Sequence, residues 1–184
     1  MKKVKFLATA LFATVLFAAC SSDDDTPKPV NEEELITTMT VTLTPMEGGT
    51  PVILQTRDLD GDGPNPPVVT VSGNLATGAS YTGSIILLNE TESPAEDITE
   101  EVEEEAVEHQ FFYTANSGLD VTTEYSNFDS NGDPLGTEFT LTAGEASSGV
   151  LTFTLRHEPI KPNTGLGDAG GETDFAASYD VTVE

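Results

Sequence analysis

From Thr37 to the C-terminus, the chain repeatedly alternates apolar and polar residues, which places the apolar side chains on one face of a half-buried strand. The most regular run is the last one, in which one parity is apolar or aromatic: Phe175, Ala177, Tyr179, Val181 and Val183. The other strand candidates are Met39–Leu43, Val52–Gln55, Val68–Ser72, Tyr81–Leu88, Gln110–Thr114, Leu119–Phe128, Phe139–Leu141 and Leu151–Leu155. Residues that favour turns separate them. We therefore predict an all-β protein, an immunoglobulin-like antiparallel β-sandwich of roughly eight or nine short strands.

One segment departs from this alternation and predicts a helix. Between Pro94 and His109, the residues Ile98, Val102 and Ala106 follow helical spacing, and Glu occupies most other positions. Glutamates four residues apart on a helix repel each other, so this helix needs packing against the sheets to be stable. The sequence thus predicts one short acidic helix lying across the sandwich.

The charge balance excludes one large class of function. The chain has 184 residues, with 32 acidic side chains against 7 basic ones and a formal net charge of -25. Proteins that hold nucleic acids need clustered Lys and Arg to replace the counterions around the phosphates. We therefore expect no nucleic-acid binding, and the length suits a single modest domain.

The N-terminus predicts secretion and lipid attachment. Three lysines are followed by an apolar run from Phe6 to Phe17 and by Ala18 and Ala19, which is the pattern of a signal peptide. Small residues directly before Cys20 resemble the lipobox of bacterial lipoproteins, in which the thiol is acylated after cleavage. Residues 1–19 are thus predicted to be a lipoprotein signal peptide and Cys20 the lipid attachment site, the alternative being a secreted protein with a free thiol. Because Cys20 is the only cysteine, an anchored chain has no thiol for catalysis or disulfides.

The next segment, residues 20–34, is predicted to be a flexible acidic tether, and residues 35–184 the single sandwich domain. The tether has little that could be buried. Its start, Ser21–Asp25, resembles the acidic signal that sends some Gram-negative lipoproteins to the outer face of the outer membrane. The alternative is a merely solvated linker, because short acidic runs are common in tethers. We expect an outer-membrane lipoprotein that is surface-exposed, with a periplasm-facing orientation as the alternative. The predicted membrane contact is through the lipid anchor.

Several blocks together resemble a known family. They are Glu32–Leu43, Asp58–Gly63, Pro94–Glu101, His109–Phe112 and Leu155–Pro159. These blocks are similar to those of small Gram-negative envelope lipoproteins that often carry the name "type 1 periplasmic binding fold superfamily protein". The resemblance implies an envelope lipoprotein and no catalytic residue. A type 1 periplasmic binding fold has two lobes of alternating strands and helices, whereas the strand pattern here predicts a sandwich.

Two Asp-rich segments have the spacing of calcium loops. In the first, Asp58, Asp60 and Asp62 alternate before Gly63, as in the first half of such a loop, but the twelfth position holds Val69 instead of Glu. In the second, the candidate ligands are Asn127, Asp129, Asn131 and Glu138. The alternative for both is an ordinary turn, because turns use the same residue types. Calcium is therefore one candidate cofactor.

A second candidate site uses both histidines of the chain. On the predicted helix, Glu101, Glu105 and His109 lie at four-residue steps on one face, and His157 and Glu158 could approach from the end of a strand. Such a mixed set of nitrogen and oxygen ligands suits zinc or a similar ion. The alternative is a solvated acidic helix whose C-terminal end is capped by His109, favourably for the helix dipole, with His157 paired to neighbouring acids.

Motifs for catalysis are scarce, so we expect a protein that is not an enzyme. The first hypothesis is an outer-membrane-anchored lipoprotein whose sandwich binds a ligand, with a divalent cation as the candidate, and which assists an outer-membrane uptake receptor or another envelope protein. The second hypothesis is an adhesion or structural surface module without a small-molecule ligand.

Overall fold

The computed structural model describes residues 34–61 and 63–184, and these residues belong to one compact unit. The strands are β1 (Thr38–Pro45), β2 (Val52–Arg57), β3 (Val68–Val71), β4 (Ser80–Asn89), β5 (Glu96–Asp97), β6 (His109–Ala115), β7 (Val121–Tyr125), β8 (Glu138–Ala143), β9 (Ser147–His157) and β10 (Glu172–Val183). The helices are α1 (Ile98–Glu104) and α2 (Leu166–Ala169). The predicted signal peptide and Cys20 lie outside the described residues.

Two antiparallel sheets pack against each other. The larger sheet has the strand order β3-β2-β1-β4-β8-β7, and the short β5 pairs with β4 beside this path. The smaller sheet has the order β10-β9-β6. This arrangement confirms the predicted fold class, an all-β antiparallel sandwich.

The core lies between the sheets and is built from residues of one parity on each strand. From the larger sheet come Met39, Val41, Leu43, Tyr81, Ile85, Leu87, Phe139 and Leu141. From the smaller sheet come Phe111, Leu151, Phe153, Leu155, Ala177, Tyr179, Val181 and Val183. The alternation seen in the sequence thus marks the inward faces, because successive side chains of a strand point to opposite faces.

The predicted helix is shorter than its sequence pattern indicated. It begins after Asp97, whose side chain accepts a hydrogen bond from the Thr99 N–H at 3.0 Å, and it ends at Glu104. No basic side chain lies in its last turn to offset the accumulated negative charge. The prediction that His109 lies on this helix is therefore wrong, since His109 is the first residue of β6. The short α2 was not predicted.

Within the described residues, no helix is both long and apolar enough to span a membrane.

Candidate metal centre

Both histidines lie at the same end of the smaller sheet. His109 on β6 and His157 on β9 are direct cross-strand partners, and their ring centroids are 4.7 Å apart. Each histidine continues the inward parity of its strand, because His109 is two residues before Phe111 and His157 is two residues after Leu155. The rings are consequently buried, with side-chain exposures of 0% and 6%. The structure thus brings together the two histidines that the sequence proposed as metal ligands.

A bulge at the start of β10 adds a carboxylate to this pair. Thr173 pairs with Arg156 and Phe175 pairs with Leu155, so Asp174 is an extra residue in the ladder. A bulge of this kind changes the direction of a side chain. The Asp174 carboxylate is 3% exposed and lies between the histidines, with Oδ2 3.8 Å from His109 Nε2 and Oδ1 3.6 Å from His157 Nδ1.

A second carboxylate comes from the segment before β1. Glu34 is only three residues from Thr37, which is held to β4 by a backbone hydrogen bond from its N–H to the Leu88 carbonyl. Its side chain is 4% exposed, and its Oε1 lies 3.3 Å from His109 Nε2. Glu34, His109, His157 and Asp174 each offer one ligand atom within 4.8 Å of the others, and we call these four residues the end cluster.

The distances within the end cluster suit ligands around one ion. Atoms bound at about 2.0–2.2 Å to a tetrahedral ion are themselves about 3.3–3.6 Å apart. The three contacts to Glu34 and Asp174 span 3.3–3.8 Å, which is longer than most N–H···O hydrogen bonds. Moreover, His109 Nε2 and Glu34 Oε2 are buried and form no hydrogen bond within the described chain.

The tautomer of His109 explains why its Nε2 needs a partner. Its Nδ1 lies 3.3 Å from the backbone carbonyl of Glu105, and a carbonyl can only accept, so Nδ1 carries the proton. Burial lowers the pKa of His109; the Glu34 charge opposes this shift and His157 adds to it. In the neutral ring the Nε2 lone pair therefore faces a carboxylate oxygen. A cation between the two atoms would satisfy both, and a backbone carbonyl on the other ring nitrogen is a usual partner of a metal-binding histidine.

The other predicted transition-metal ligands lie around the end cluster. Glu158 and the unpredicted Glu108 are exposed and form a second group with His157, whose Nε2 is 4.0 Å from Glu108 Oε2. Glu101 and Glu105 are also exposed. Burial, and next the charge of Glu34, raise the pKa of Glu101, which indicates that its carboxylate is near the cluster. Glu105 contributes its backbone carbonyl to His109.

The first predicted calcium loop forms a network of turns. Asp58 Oδ1 accepts the N–H groups of Asp60 and Gly61 at 3.2 and 3.0 Å, and Asp60 Oδ2 accepts the Asn65 side-chain amide at 2.6 Å. That last bond is the main reason why the pKa of Asp60 is lowered. Asp62 lies outside the described residues. Calcium binding here stays a prediction.

In the second predicted calcium loop, internal contacts use the oxygens that an ion would need. Asp129 Oδ1 accepts the N–H groups of Asn131 and Asp133, and its Oδ2 accepts the Lys161 ammonium at 3.1 Å. Asn127 Oδ1 accepts the N–H groups of Gly136 and Glu138, and the Glu138 side chain is exposed. These contacts favour the turn alternative, and calcium binding at this loop stays a prediction.

Sequence reasoning missed two members of the end cluster. Asp174 follows the wrong strand parity in a regular ladder, and only the bulge brings it inward. Glu34 lies in a run of three glutamates that the sequence assigns to the tether. Strand parity could have paired the histidines, since both continue an inward-facing apolar row.

No protein-family model matches the chain, and no curated protein or solved structure is significantly similar to it.

Proposed function

We propose that this chain is a lipid-anchored envelope protein whose sandwich binds one divalent transition-metal ion, of which zinc is the representative, at the end cluster. The observation that carries the proposal is the convergence of two imidazoles and two carboxylates, all at most 6% exposed, with ligand atoms within 4.8 Å of one another. Buried charges in proteins are normally paired or bound to metals. A role in binding, without catalysis, is proposed for this ion.

The donor set favours a transition metal over calcium. Calcium takes six to eight oxygen ligands at about 2.3–2.6 Å, whereas zinc and similar ions accept imidazole nitrogen together with carboxylate oxygen in a smaller shell. The end cluster offers two nitrogens and few oxygens. The surrounding acids, Glu101, Glu105, Glu108 and Glu158, would attract dications of any kind, so selectivity has to come from the buried ligands.

The proposed location of the protein, the outer face of the outer membrane, is based on its sequence. The basic start, the apolar run and the small residues before Cys20 support cleavage and acylation, and Ser21–Asp25 supports export to the outer face of the outer membrane. An ion-binding module held there could serve a neighbouring uptake receptor. Labelling of intact cells with an impermeant reagent tests the outward orientation.

Thermal unfolding of the purified full chain in detergent tests the ion. Metal-stripped protein is titrated with zinc and, separately, with calcium at matched ionic strength. Because an ion that binds only the folded state raises stability by mass action, we expect zinc to give a saturating rise in Tm and calcium to reproduce only the effect of salt. His109→Gln and His157→Gln should each remove most of the zinc response. Glu47→Gln, which neutralises an exposed acid outside the end cluster, is the matched control and should keep it. Equal responses to both ions, or an intact response in both histidine variants, would refute the proposal.

A second candidate, an adhesion or structural module, is favoured by a different observation. Apolar side chains are exposed on the outer side of the larger sheet: Ile53 at 41%, Val68 at 64% and Ile86 at 46%. Exposed apolar patches often mark contact surfaces. Replacing Ile53 and Ile86 by Thr should weaken surface attachment without changing the zinc response if this candidate is correct.

A further inference from the structure

The segment that supplies Glu34 is attached to the sandwich in an unusual way. In the part of the chain that the structure describes, residues 34–36 form no hydrogen bond. The first residue with such bonds is Thr37: its N–H donates to the Leu88 carbonyl at 3.0 Å, and its own carbonyl accepts the Asp58 N–H at 2.7 Å. The Thr37 hydroxyl adds two more bonds, to the Leu88 carbonyl and from the Glu90 N–H. From residue 34 onward, backbone attachment therefore begins at Thr37.

Of residues 34–36, two have side chains that are buried against the sandwich. Ile36 is 9% exposed and packs into the core, whereas Leu35 is 55% exposed. The remaining contact is the Glu34 carboxylate, which lies in the end cluster beside His109. Whether residues 34 and 35 stay on the sandwich thus depends on how well that carboxylate is satisfied.

Without a bound cation, the end cluster leaves one oxygen of the Glu34 carboxylate without a hydrogen bond in the described chain. The Oε2 atom is buried and accepts no hydrogen bond within the described chain, and its neighbour, the Asp174 carboxylate, has the same sign of charge. Leaving the cluster would return the Glu34 carboxylate to water at the cost of few contacts. A bound dication would instead favour the buried position of the Glu34 carboxylate, because direct coordination replaces the hydration that the carboxylate loses on burial.

We infer that ion occupancy of the end cluster fixes residues 34–36 to the sandwich, so that the ion controls attachment of the junction between the lipid tether and β1. The inference rests on the proposed function and adds a role for the site, since the sequence predicts that the tether ends at residue 34. Ion binding would then change the length of free chain between the membrane anchor and the folded domain. An extended chain adds at most about 3.3–3.6 Å per released residue.

Backbone ¹⁵N relaxation measured by NMR on the purified full chain in detergent tests this inference. The order parameters of the Leu35 and Ile36 amides are compared in metal-stripped protein, with zinc and with calcium. Because these amides form no hydrogen bond, their order depends on the side chains of the segment, and we expect zinc to raise their order parameters from below about 0.6 to about 0.85. Calcium should not raise them. The amides of Val41–Leu43, in the centre of β1, should have order parameters of about 0.85 in all three states and show that the fold is intact.

Glu34→Gln separates the inference from the proposed function. His109, His157 and Asp174 remain in this variant, so zinc still binds, more weakly, while the rise in the order parameters of residues 35 and 36 should disappear even at saturating zinc. The control Glu47→Gln should keep that rise. If zinc binds the native chain and leaves the order parameters of residues 35 and 36 unchanged, or raises them equally in Glu34→Gln, the inference is overturned and the metal site stands. If zinc does not bind the native chain, both fail.

Discussion

Replacing Glu34 by Gln should have opposite effects on the metal-free and the zinc-bound protein. In the metal-free state, the substitution removes a charge that is 4% exposed, lies beside a second carboxylate and has an oxygen without a hydrogen bond. Leaving such a group unsatisfied costs about 1–3 kcal/mol, so the metal-free variant should be more stable by about 1 kcal/mol. For a unit of this size, that corresponds to a rise in Tm of about 2–4 °C.

In the presence of zinc, the native protein should be more stable than the Glu34→Gln variant. At a free zinc concentration about 100 times the native Kd, the native protein gains about 2.7 kcal/mol. If loss of one ligand weakens binding about 100-fold, the variant gains only about 0.4 kcal/mol at the same concentration. The native Tm should therefore rise by about 5–10 °C and that of the variant by about 1 °C, so the two titration curves cross.

Differential scanning fluorimetry of metal-stripped protein across a buffered zinc series measures both effects. Glu47→Gln makes the same change of charge at an exposed position and should leave both the starting Tm and the zinc response unchanged. A Glu34→Gln variant that is less stable without metal and that keeps the native zinc response would show that Glu34 is a structural group and would refute this reasoning.

Two further predictions concern the stability of the fold. Burial raises the pKa of Asp129, but hydrogen bonds from Lys161 and from two backbone N–H groups outweigh it and leave the pKa below its usual value. Asp129 thus contributes stability that is present above its unfolded pKa of about 3.9 and is lost as the pH falls through the lower folded value. Asp129→Ala leaves a buried ammonium and should cost about 3 kcal/mol at pH 7, with a smaller loss near pH 3, as measured by urea unfolding at both pH values. An equal loss at both would contradict the pairing. Gly83→Ala should destabilise the protein by about 1–3 kcal/mol, because the added methyl group would collide with the Phe139 ring. An unchanged urea midpoint would contradict this prediction and show that the Phe139 ring can move to accommodate the methyl group.

The fold could be predicted because strand periodicity is a local property. Rows such as Met39–Leu43 and Phe175–Val183 show their inward faces directly, and the structure places these faces in one core. The order of the strands could not be predicted, because pairings such as β1 with β4 depend on contacts between residues far apart in sequence. The helix was overestimated because its apolar spacing continues beyond Glu104, where the pairing of His109 with His157 takes over.

The candidate site could be predicted only in part for the same reason. Both histidines have a residue type that suggests metal binding, and strand parity places them on the inward face. Asp174 reaches the site only through a bulge, which an alternating pattern does not reveal. Glu34 reaches it from a segment that belongs to no strand. With 32 acidic residues in the chain, residue type alone cannot identify the two carboxylates that are buried.

The position of the end cluster makes a functional explanation more economical than a structural one. The inward rows of β6 and β9 are apolar or aromatic at Phe111, Leu155 and Phe153, and the next inward position on each strand is a histidine. Leucine at either position would extend the core and avoid placing polar atoms in it, so the histidines lower the stability of the metal-free sandwich. The free-energy cost of burying polar groups is larger still because Glu34 and Asp174 add two carboxylates to the same site. A dication would give a partner to His109 Nε2 and to Glu34 Oε2, whereas a purely structural role would require hydrogen bonds that these two atoms do not form within the described chain. The proposed metal site therefore predicts that replacing any one of the four residues weakens the zinc response.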